Sequence, residues 1–249
     1  MIRSKKLIKF RKINHGFFNS FGGVSSGIYK SLNCGIGSKD KKKNIIKNLK
    51  IVTNRVGGKK KIALLHQIHS NKIHFIKKIS KKRLVGDGLI TKSKGLVIGV
   101  LTADCAPIIF FDPNKNIIGI AHAGWKGAYK KIALEMIKKF KKNGSKLKDI
   151  IAVIGPCISQ KNYEVKNDFK AKFISQSLRN KIFFKNIKNK IYFDLKSYIF
   201  QQLKNEGVDN VELIKKDTFC TKNNFFSARR SLKNKINDYG RNISIIMIK

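Results

Sequence analysis

The 249-residue chain has few acidic residues, because 14 Asp and Glu stand against 55 Lys and Arg, which gives a formal net charge of +41 at pH 7. Arginine is scarce too, since only eight of those 55 basic residues are Arg and 47 are Lys. Surfaces that bind nucleic acid favour the planar, bidentate Arg side chain. The composition therefore favours a solvated, lysine-rich surface and no specific nucleic-acid partner. A basic nucleic-acid-binding module without activity stays as an alternative.

Long apolar runs are absent. Stretches such as residues 96–101 fall far short of the roughly 20 residues that cross a bilayer, which excludes a membrane span. Basic residues at positions 9, 11 and 12 interrupt the N-terminal segment, so it does not have the pattern of a secretory signal. We therefore expect a cytoplasmic protein with no membrane partner.

Cysteine is rare, with four residues at wide and irregular spacing: Cys34, Cys105, Cys157 and Cys220. In a chain without a secretory signal this spacing predicts free thiols rather than a disulfide framework. The sequence has no CxxC pair, which argues against a structural zinc knuckle.

Residues 98–127 differ from the rest of the chain because their two Lys and two Asp leave no net charge. The same window holds the only Trp and two of the three Pro. Its apolar runs, bounded by turn residues, predict buried strands at 96–102, 108–111 and 117–121. The core of the fold is therefore expected to be a sheet.

Helical patterns flank this window. Residues 128–142 place apolar side chains at three- and four-residue spacing before a glycine, and a second helix is predicted from its N-cap Asp194 to Gly207. A weaker helical pattern covers residues 40–56, and residues 243–248 predict a last strand. Strands and helices do not alternate regularly, and no linker or repeat divides the chain. We predict a single α+β domain over residues 1–249, a mixed α/β sandwich with a β-sheet core flanked by helices.

Three side chains that can bind a metal follow apolar runs: His69, Cys105 and His122. Loops at strand ends present side chains to clefts. Two imidazoles and one thiolate can hold a zinc ion whose fourth position stays open for water or substrate. The spacing does not force these residues together, so three unrelated side chains stay as the alternative.

Several motifs together resemble a known bacterial family. They are HQIHS, GDGLIT, TADCAPIIFFD, IAHAGWKGA, IGPCIS followed by YEV, DTFC, and FFSARR with a later GR, preceded by GGVSSGIYKSLNCGIGSKD. The family is that of laccase-domain or polyphenol oxidase proteins, members of which are also described as zinc-dependent purine nucleoside phosphorylases. The resemblance implies a mixed α/β sandwich with a catalytic zinc ion on His69, Cys105 and His122. Cys34, Lys126 and Ala228 depart from the family's usual Leu, Arg and aromatic residue.

The resemblance also implies an activity. It is phosphorolysis of adenosine, inosine or methylthioadenosine to the free base and a ribose 1-phosphate derivative, with adenosine deamination as a second activity. The expected partners are a purine nucleoside and phosphate. Deamination suits zinc, which lowers the pKa of bound water to about 7 and so supplies hydroxide for attack at C6 of adenine. Cu²⁺ can substitute at such ligands, but five His and no HxH element argue against a multicopper oxidase.

Phosphate needs Arg side chains and backbone donors. Arg229 and Arg230 are candidates because Arg is so rare in this chain, although a salt bridge explains the pair equally well. Ser26 and Asn33 are further candidates, since they lie in a Gly-rich segment suited to anion contact.

Three other residues are candidates for proton transfer or for orienting the zinc ligands: Asp87, Asp104 and His66. Zinc-bound His commonly donates its second ring N–H to a carboxylate or carbonyl. A turn at Asp87 and Gly88 is the simpler explanation of the first candidate.

The main rival enzyme is a cysteine hydrolase, for example one acting on a cell-wall precursor, with Cys105 as nucleophile and His122 as base. His69 discriminates between the two hypotheses, because a metal needs it and a thiol–imidazole pair does not. With no coiled-coil heptads and a self-repelling surface, we expect a monomer.

Overall fold

The computed structural model describes residues 1–59 and 61–249. In these residues the chain forms strands and α-helices that we number in chain order. The strands are β1 (Ile13–Phe17), β2 (Ile73–Phe75), β3 (Gly88–Thr91), β4 (Ile98–Thr102), β5 (Ala106–Asp112), β6 (Ile117–Ala123), β7 (Ile151–Ile154), β8 (Glu164–Val165), β9 (Phe184–Ile187), β10 (Lys190–Phe193), β11 (Asn210–Leu213) and β12 (Asn242–Ile248). The helices are α1 (Lys42–Arg55), α2 (Trp125–Tyr129), α3 (Ile132–Lys142), α4 (Asn167–Gln176), α5 (Leu195–Asn205) and α6 (Ala228–Lys233). None of the helices described combines the length and the apolar character of a membrane span.

Strands β5 and β6 form the middle of a six-stranded sheet with the order β11-β7-β5-β6-β3-β2. The four central strands pair antiparallel, whereas β11 and β2 pair parallel with their neighbours. Every residue of β5 and β6 is buried. Both faces of this sheet are covered, which is why residues 98–127 contain so few charges.

Successive residues of β5 point to opposite faces of the sheet. Ile108 and Phe110 pack towards α3 and α5, whereas Ile109 and Phe111 pack against a second sheet with the order β1-β12-β4. Helix α1 covers the outer face of that second sheet. The predicted mixed α/β sandwich with flanking helices is therefore confirmed.

A third sheet, with the order β8-β10-β9, lies outside these layers. Its Phe184 and Phe193 pack with Phe169 and Phe173 of α4, at ring-centroid distances between 4.7 and 6.2 Å. No sequence pattern predicts this sheet, because its short strands are partly polar and exposed.

The strands predicted at 96–102, 108–111, 117–121 and 243–248 are confirmed as β4, β5, β6 and β12. Helix α5 begins after Asp194, whose side chain accepts a hydrogen bond from Ser197 N at 3.0 Å, and Gly207 follows it with a φ of 89°. The helix predicted over 128–142 is confirmed for residues 132–142, which form α3, but its predicted start was wrong. Lys131 has a left-handed φ of 60°, so the segment is divided between α2 and α3.

Candidate metal centre

His69, Cys105 and His122 meet at one end of the six-stranded sheet. Their ligating atoms all lie within 4.8 Å of one another, and Cys105 Sγ is 3.9 Å from His69 Nε2. Cys105 immediately precedes β5 and His122 lies near the end of β6, so the antiparallel pairing of these strands brings the two together. His69 comes from the loop before β2. The sheet therefore positions two of the three candidate metal ligands, and a loop positions the third.

Asp87 connects His69, which lies in the loop, to His122, which lies in the sheet. Its buried carboxylate accepts a hydrogen bond from His122 Nδ1 at 2.8 Å and from the backbone N of His69 at 3.0 Å. It also accepts from Ser70 through both the backbone N and Oγ, each at 2.6 Å. Because Nδ1 of His122 is bonded to Asp87, its Nε2 is left for a metal.

The same contacts decide the charge of Asp87. Burial alone would raise the pKa of its carboxyl, but hydrogen bonds from His122 and Ser70 lower the pKa to about 2. The carboxylate is therefore ionised at neutral pH and keeps a proton on Nδ1 of His122.

Cys105 and His122 shift each other's protonation. Burial raises the pKa of the thiol, but the charge of His122 and hydrogen bonds from both imidazoles outweigh burial and lower the pKa to about 7. Burial lowers the pKa of His122, whereas Cys105 and Asp87 raise it to about 9. The thiolate form, which is the form that binds metal, is thereby favoured.

Gly124 allows the donors to approach one another. A Cβ atom at this position would lie 2.7 Å from His69 Cδ2 and 2.8 Å from Cys105 Sγ, closer than real Cβ atoms come. Any side chain here would push the two donors out of place. The glycine that follows β6 is therefore part of the site.

The donor set fits zinc. Two imidazoles and one thiolate are common zinc ligands, and three protein ligands leave a fourth tetrahedral position open. Within residues 1–59 and 61–249, this is the only group of three or more His, Cys, Asp or Glu side chains close enough to share an ion.

The three donors open into a cavity of about 350 Å³. His66, Arg83, Tyr239 and Arg241 also line it. Gln67 forms part of the wall, and its amide exchanges two 2.8 Å hydrogen bonds with the backbone of Leu101. The cavity is large enough for a small organic ligand beside the donors.

Asp104 lies next to Cys105 in the chain but serves a different part of the structure. Its buried carboxylate accepts from Thr218 Oγ1 at 2.6 Å, Ser227 Oγ at 2.9 Å and Arg229 N at 2.7 Å. These contacts hold the start of α6. The structure therefore places Asp104 as an anchor, without a hydrogen bond to His69 or His122 among the described residues.

His66 is exposed on the cavity wall. Its backbone N donates to Leu84 O, and its backbone O accepts from Gly86 N, at 2.9 and 3.1 Å. These bonds fix the segment that leads into Asp87.

Arg229 and Arg230 do not line the cavity. Arg230 donates to the backbone carbonyls of Thr218, Phe219 and Phe225, while Arg229 donates to Glu164 O at 2.7 Å. Neither takes part in an ion pair in the part of the chain described. Arg230 thus connects α6 to neighbouring loops, and Arg229 connects it to β8.

Ser26 is exposed and does not line the cavity. Asn33 is buried beside the cavity, where its amide donates to Ser38 and Asp40 and its Oδ1 accepts from Gly35 N and Arg241 N. Asn33 thus holds the backbone of a cavity residue. Arg83 and Arg241, which line the cavity, were not among the predicted site residues, although the rarity of Arg was a signal for both.

Comparison of the sequence with known proteins shows which family the chain belongs to. The sequence pattern of the family described as multi-copper polyphenol oxidoreductase laccase matches residues 14–249. The chain belongs to this family. The resemblance inferred from the motifs is thereby confirmed.

Relatives in this family carry a different name. A purine nucleoside phosphorylase of Rickettsia prowazekii is 36% identical over 207 residues, which cover 82% of this chain and 85% of the relative. A purine nucleoside phosphorylase of Haemophilus influenzae is 31% identical over 228 residues and 90% of each chain. The crystal structure of the hypothetical protein YfiH of Bacillus licheniformis has a TM-score of 0.89 and 30% identity, covering 97% of this chain and 94% of that one.

Proposed function

We propose that this protein is a zinc-dependent purine nucleoside phosphorylase. It would convert adenosine, inosine or methylthioadenosine, with phosphate, to the free base and a ribose 1-phosphate derivative. The observation that carries the proposal is the convergence of His69, Cys105 and His122 on one cavity wall. The names of the relatives support the reaction class.

The metal proposed is zinc, although the family description mentions copper. A multicopper oxidase needs several copper centres, whereas one group of three donors lies within the described residues. A His, Cys and His set around one open position is typical of catalytic zinc. Cu²⁺ can take the same ligands as a substitute.

The bound ion would supply a Lewis acid beside the substrate. Asp87 keeps Nδ1 of His122 protonated and so directs Nε2 of that ring into the cluster. The same carboxylate fixes the backbone of His69, so one residue orients two donors. Positioning of this kind fixes the ligand geometry before substrate binds.

Adenosine deamination is proposed as a second activity of the same site. A zinc ion held by His69, Cys105 and His122 would supply the Lewis acidity that zinc deaminases use to activate water. Adenosine without phosphate would then give inosine and ammonia.

The test is a nucleoside assay with chromatography. Zinc-loaded protein incubated with inosine and phosphate should give equal amounts of hypoxanthine and ribose 1-phosphate, and no base when phosphate is omitted. Cys105→Ala should abolish turnover. The matched control is Cys220→Ala, which removes a half-buried thiol outside the cavity and should leave turnover unchanged. If neither base from inosine nor inosine from adenosine appears near neutral pH with zinc present, the proposal fails.

A cysteine hydrolase stays as the second candidate because one observation favours it. Cys105, His122 and Asp87 form a thiol, imidazole and carboxylate series, with 2.8 Å between the last two. Metal removal separates the candidates. Full activity after exhaustive EDTA treatment, abolished by iodoacetamide, would support the hydrolase, whereas activity restored only by zinc supports the metal enzyme.

A further inference from the structure

Two arginine side chains line the cavity that contains the metal centre, Arg83 and Arg241. Guanidinium groups bind phosphate through two parallel N–H donors, which a lysine ammonium cannot reproduce. In a chain with eight Arg and 47 Lys, two Arg beside the same cavity form an unusual concentration of this chemistry.

The guanidinium of Arg241 is held along one side only. Its Nη1 donates to Asp238 Oδ1 at 2.8 Å and to the carbonyl of Tyr239. Its Nε and Nη2 donate to no other group in residues 1–59 and 61–249. These two atoms form the edge of the guanidinium that can donate two hydrogen bonds to one oxyanion.

Several contacts fix the orientation of Arg241. The guanidinium lies 4.3 Å from the ring centroid of Tyr239. Its partner Asp238 accepts from Tyr29 Oη at 2.6 Å and from Lys39 N at 2.8 Å. The Arg241 side chain is 22% exposed. A cation that is already ordered loses little entropy when it binds an anion.

Gly35 lets the stem of Arg241 reach the cavity. A Cβ at position 35 would lie 2.4 Å from Arg241 Cδ and 3.1 Å from its Cβ. The backbone of Arg241 is bonded to the same loop, through Asn33 Oδ1 and Cys34 N. The loop and the arginine therefore form one unit, in which glycine is required by close packing.

Arg83 supplies the second charge. It is exposed, lines the cavity and takes part in no ion pair within the described part of the chain. Asp238 offsets part of the charge of Arg241, so a second cation matters for a multiply charged anion.

We propose that Nε and Nη2 of Arg241, together with the charge of Arg83, bind the phosphate group that this enzyme consumes. The inference rests on the proposed function, because it assigns the phosphate subsite of that same cavity. It also moves phosphate binding away from Arg229 and Arg230, which do not line the cavity.

Steady-state kinetics of zinc-loaded Arg241→Lys tests the subsite. Loss of a bidentate, charge-assisted pair should raise KM for phosphate at least about tenfold, while KM for the nucleoside stays within about twofold of the original value. The matched control is Arg179→Lys, an exposed arginine outside the cavity, which should leave both constants unchanged. An unchanged KM for phosphate in folded, zinc-loaded Arg241→Lys would overturn the inference.

Gly35→Ala provides a second test that keeps the guanidinium. The added methyl should displace the Arg241 stem and raise KM for phosphate severalfold with little change in zinc content. A phosphate KM equal to that of the original protein would show that the position of Arg241 does not matter.

Equilibrium dialysis with radiolabelled inorganic phosphate separates this inference from the proposed function. If the protein binds phosphate and Arg241→Lys binds it at least about tenfold more weakly, the subsite stands even where no nucleoside reacts. If nucleosides react but the variant binds phosphate as tightly as the original, the reaction stands and the subsite assignment is wrong.

Discussion

Two carboxylates, Asp87 and Asp104, are buried at the same end of the central sheet, and they belong to different parts of the molecule. Asp87 bonds to His122 and to the loop of His69, although it is 35 and 18 residues away from them, respectively. Asp104 is adjacent to Cys105 in sequence and bonds to residues of 218–229 instead. Proximity in sequence to a metal donor is therefore a poor guide to which carboxylate serves the site.

The two carboxylates also differ electrostatically. For Asp87, hydrogen bonds outweigh burial and lower the pKa to about 2. For Asp104, burial raises the pKa, and hydrogen bonds from Thr218, Ser227 and the Arg229 backbone offset it only in part. A carboxylate that orients a candidate metal-binding imidazole must stay ionised, and of the two only Asp87 has its pKa lowered.

The largest effect on stability is expected at Asp104. Asp104→Ala should lower the free energy of unfolding by about 3 kcal/mol, because it leaves three buried or partly buried donors without an acceptor. Urea titration measures the loss. Zinc per folded chain should stay the same, and a loss of zinc as large as that in an Asp87 variant would show that both carboxylates support the metal centre.

Asp87→Asn should act mainly on the metal. Loss of the charge that orients His122 should weaken zinc binding by about 10- to 100-fold, as measured by competition with a chromogenic chelator. Asn keeps the size of the side chain, so the effect on stability should be smaller than that of Asp104→Ala. Unchanged zinc affinity would contradict the role assigned to the carboxylate.

Gly124→Ala should weaken zinc binding by about tenfold, since the methyl group would meet both His69 and Cys105. Gly144→Ala is unsuitable as a control because its φ is 91°. Gly37→Ala is suitable, since a Cβ there meets no atom within 4 Å. Equal zinc affinity in the Gly124 and Gly37 variants would show that the close approach of the donors is not needed.

The smallest effect is a difference in pH dependence, measured on zinc-free protein. The pKa of Asp87 is lowered on folding, so its contribution to stability is present above its unfolded pKa and is lost as pH falls towards 2. The pKa of Asp104 is raised, so its contribution is present below the unfolded pKa and is lost as pH rises through the folded value.

The two Asn variants should therefore differ. In Asp87→Asn the free energy of unfolding should fall less as the pH is lowered, and in Asp104→Asn it should rise more steeply as the pH is raised. Identical changes in both variants would remove the distinction.

The middle of the fold could be predicted from the sequence alone, because β4, β5 and β6 are buried on both faces and contain one charged residue, Asp112. The candidate metal ligands could be predicted from motifs but not from their spacing, because only the pairing of β5 with β6 and the loop held by Asp87 bring them together. The break at Lys131 had no signal, because Lys rarely adopts a left-handed conformation. The contacts of Arg229 with the Glu164 carbonyl and of Arg230 with loop carbonyls depend on tertiary structure and have no pattern in the sequence.

The most direct test of the metal centre is the zinc content of the purified protein, measured by mass spectrometry after dialysis without chelator. The structure predicts about one zinc ion per chain in the original protein and in Cys220→Ala, and none in Cys105→Ala. Equal zinc in both cysteine variants, or no zinc in the original protein after incubation with the ion, would contradict the assignment of His69, Cys105 and His122 as one site.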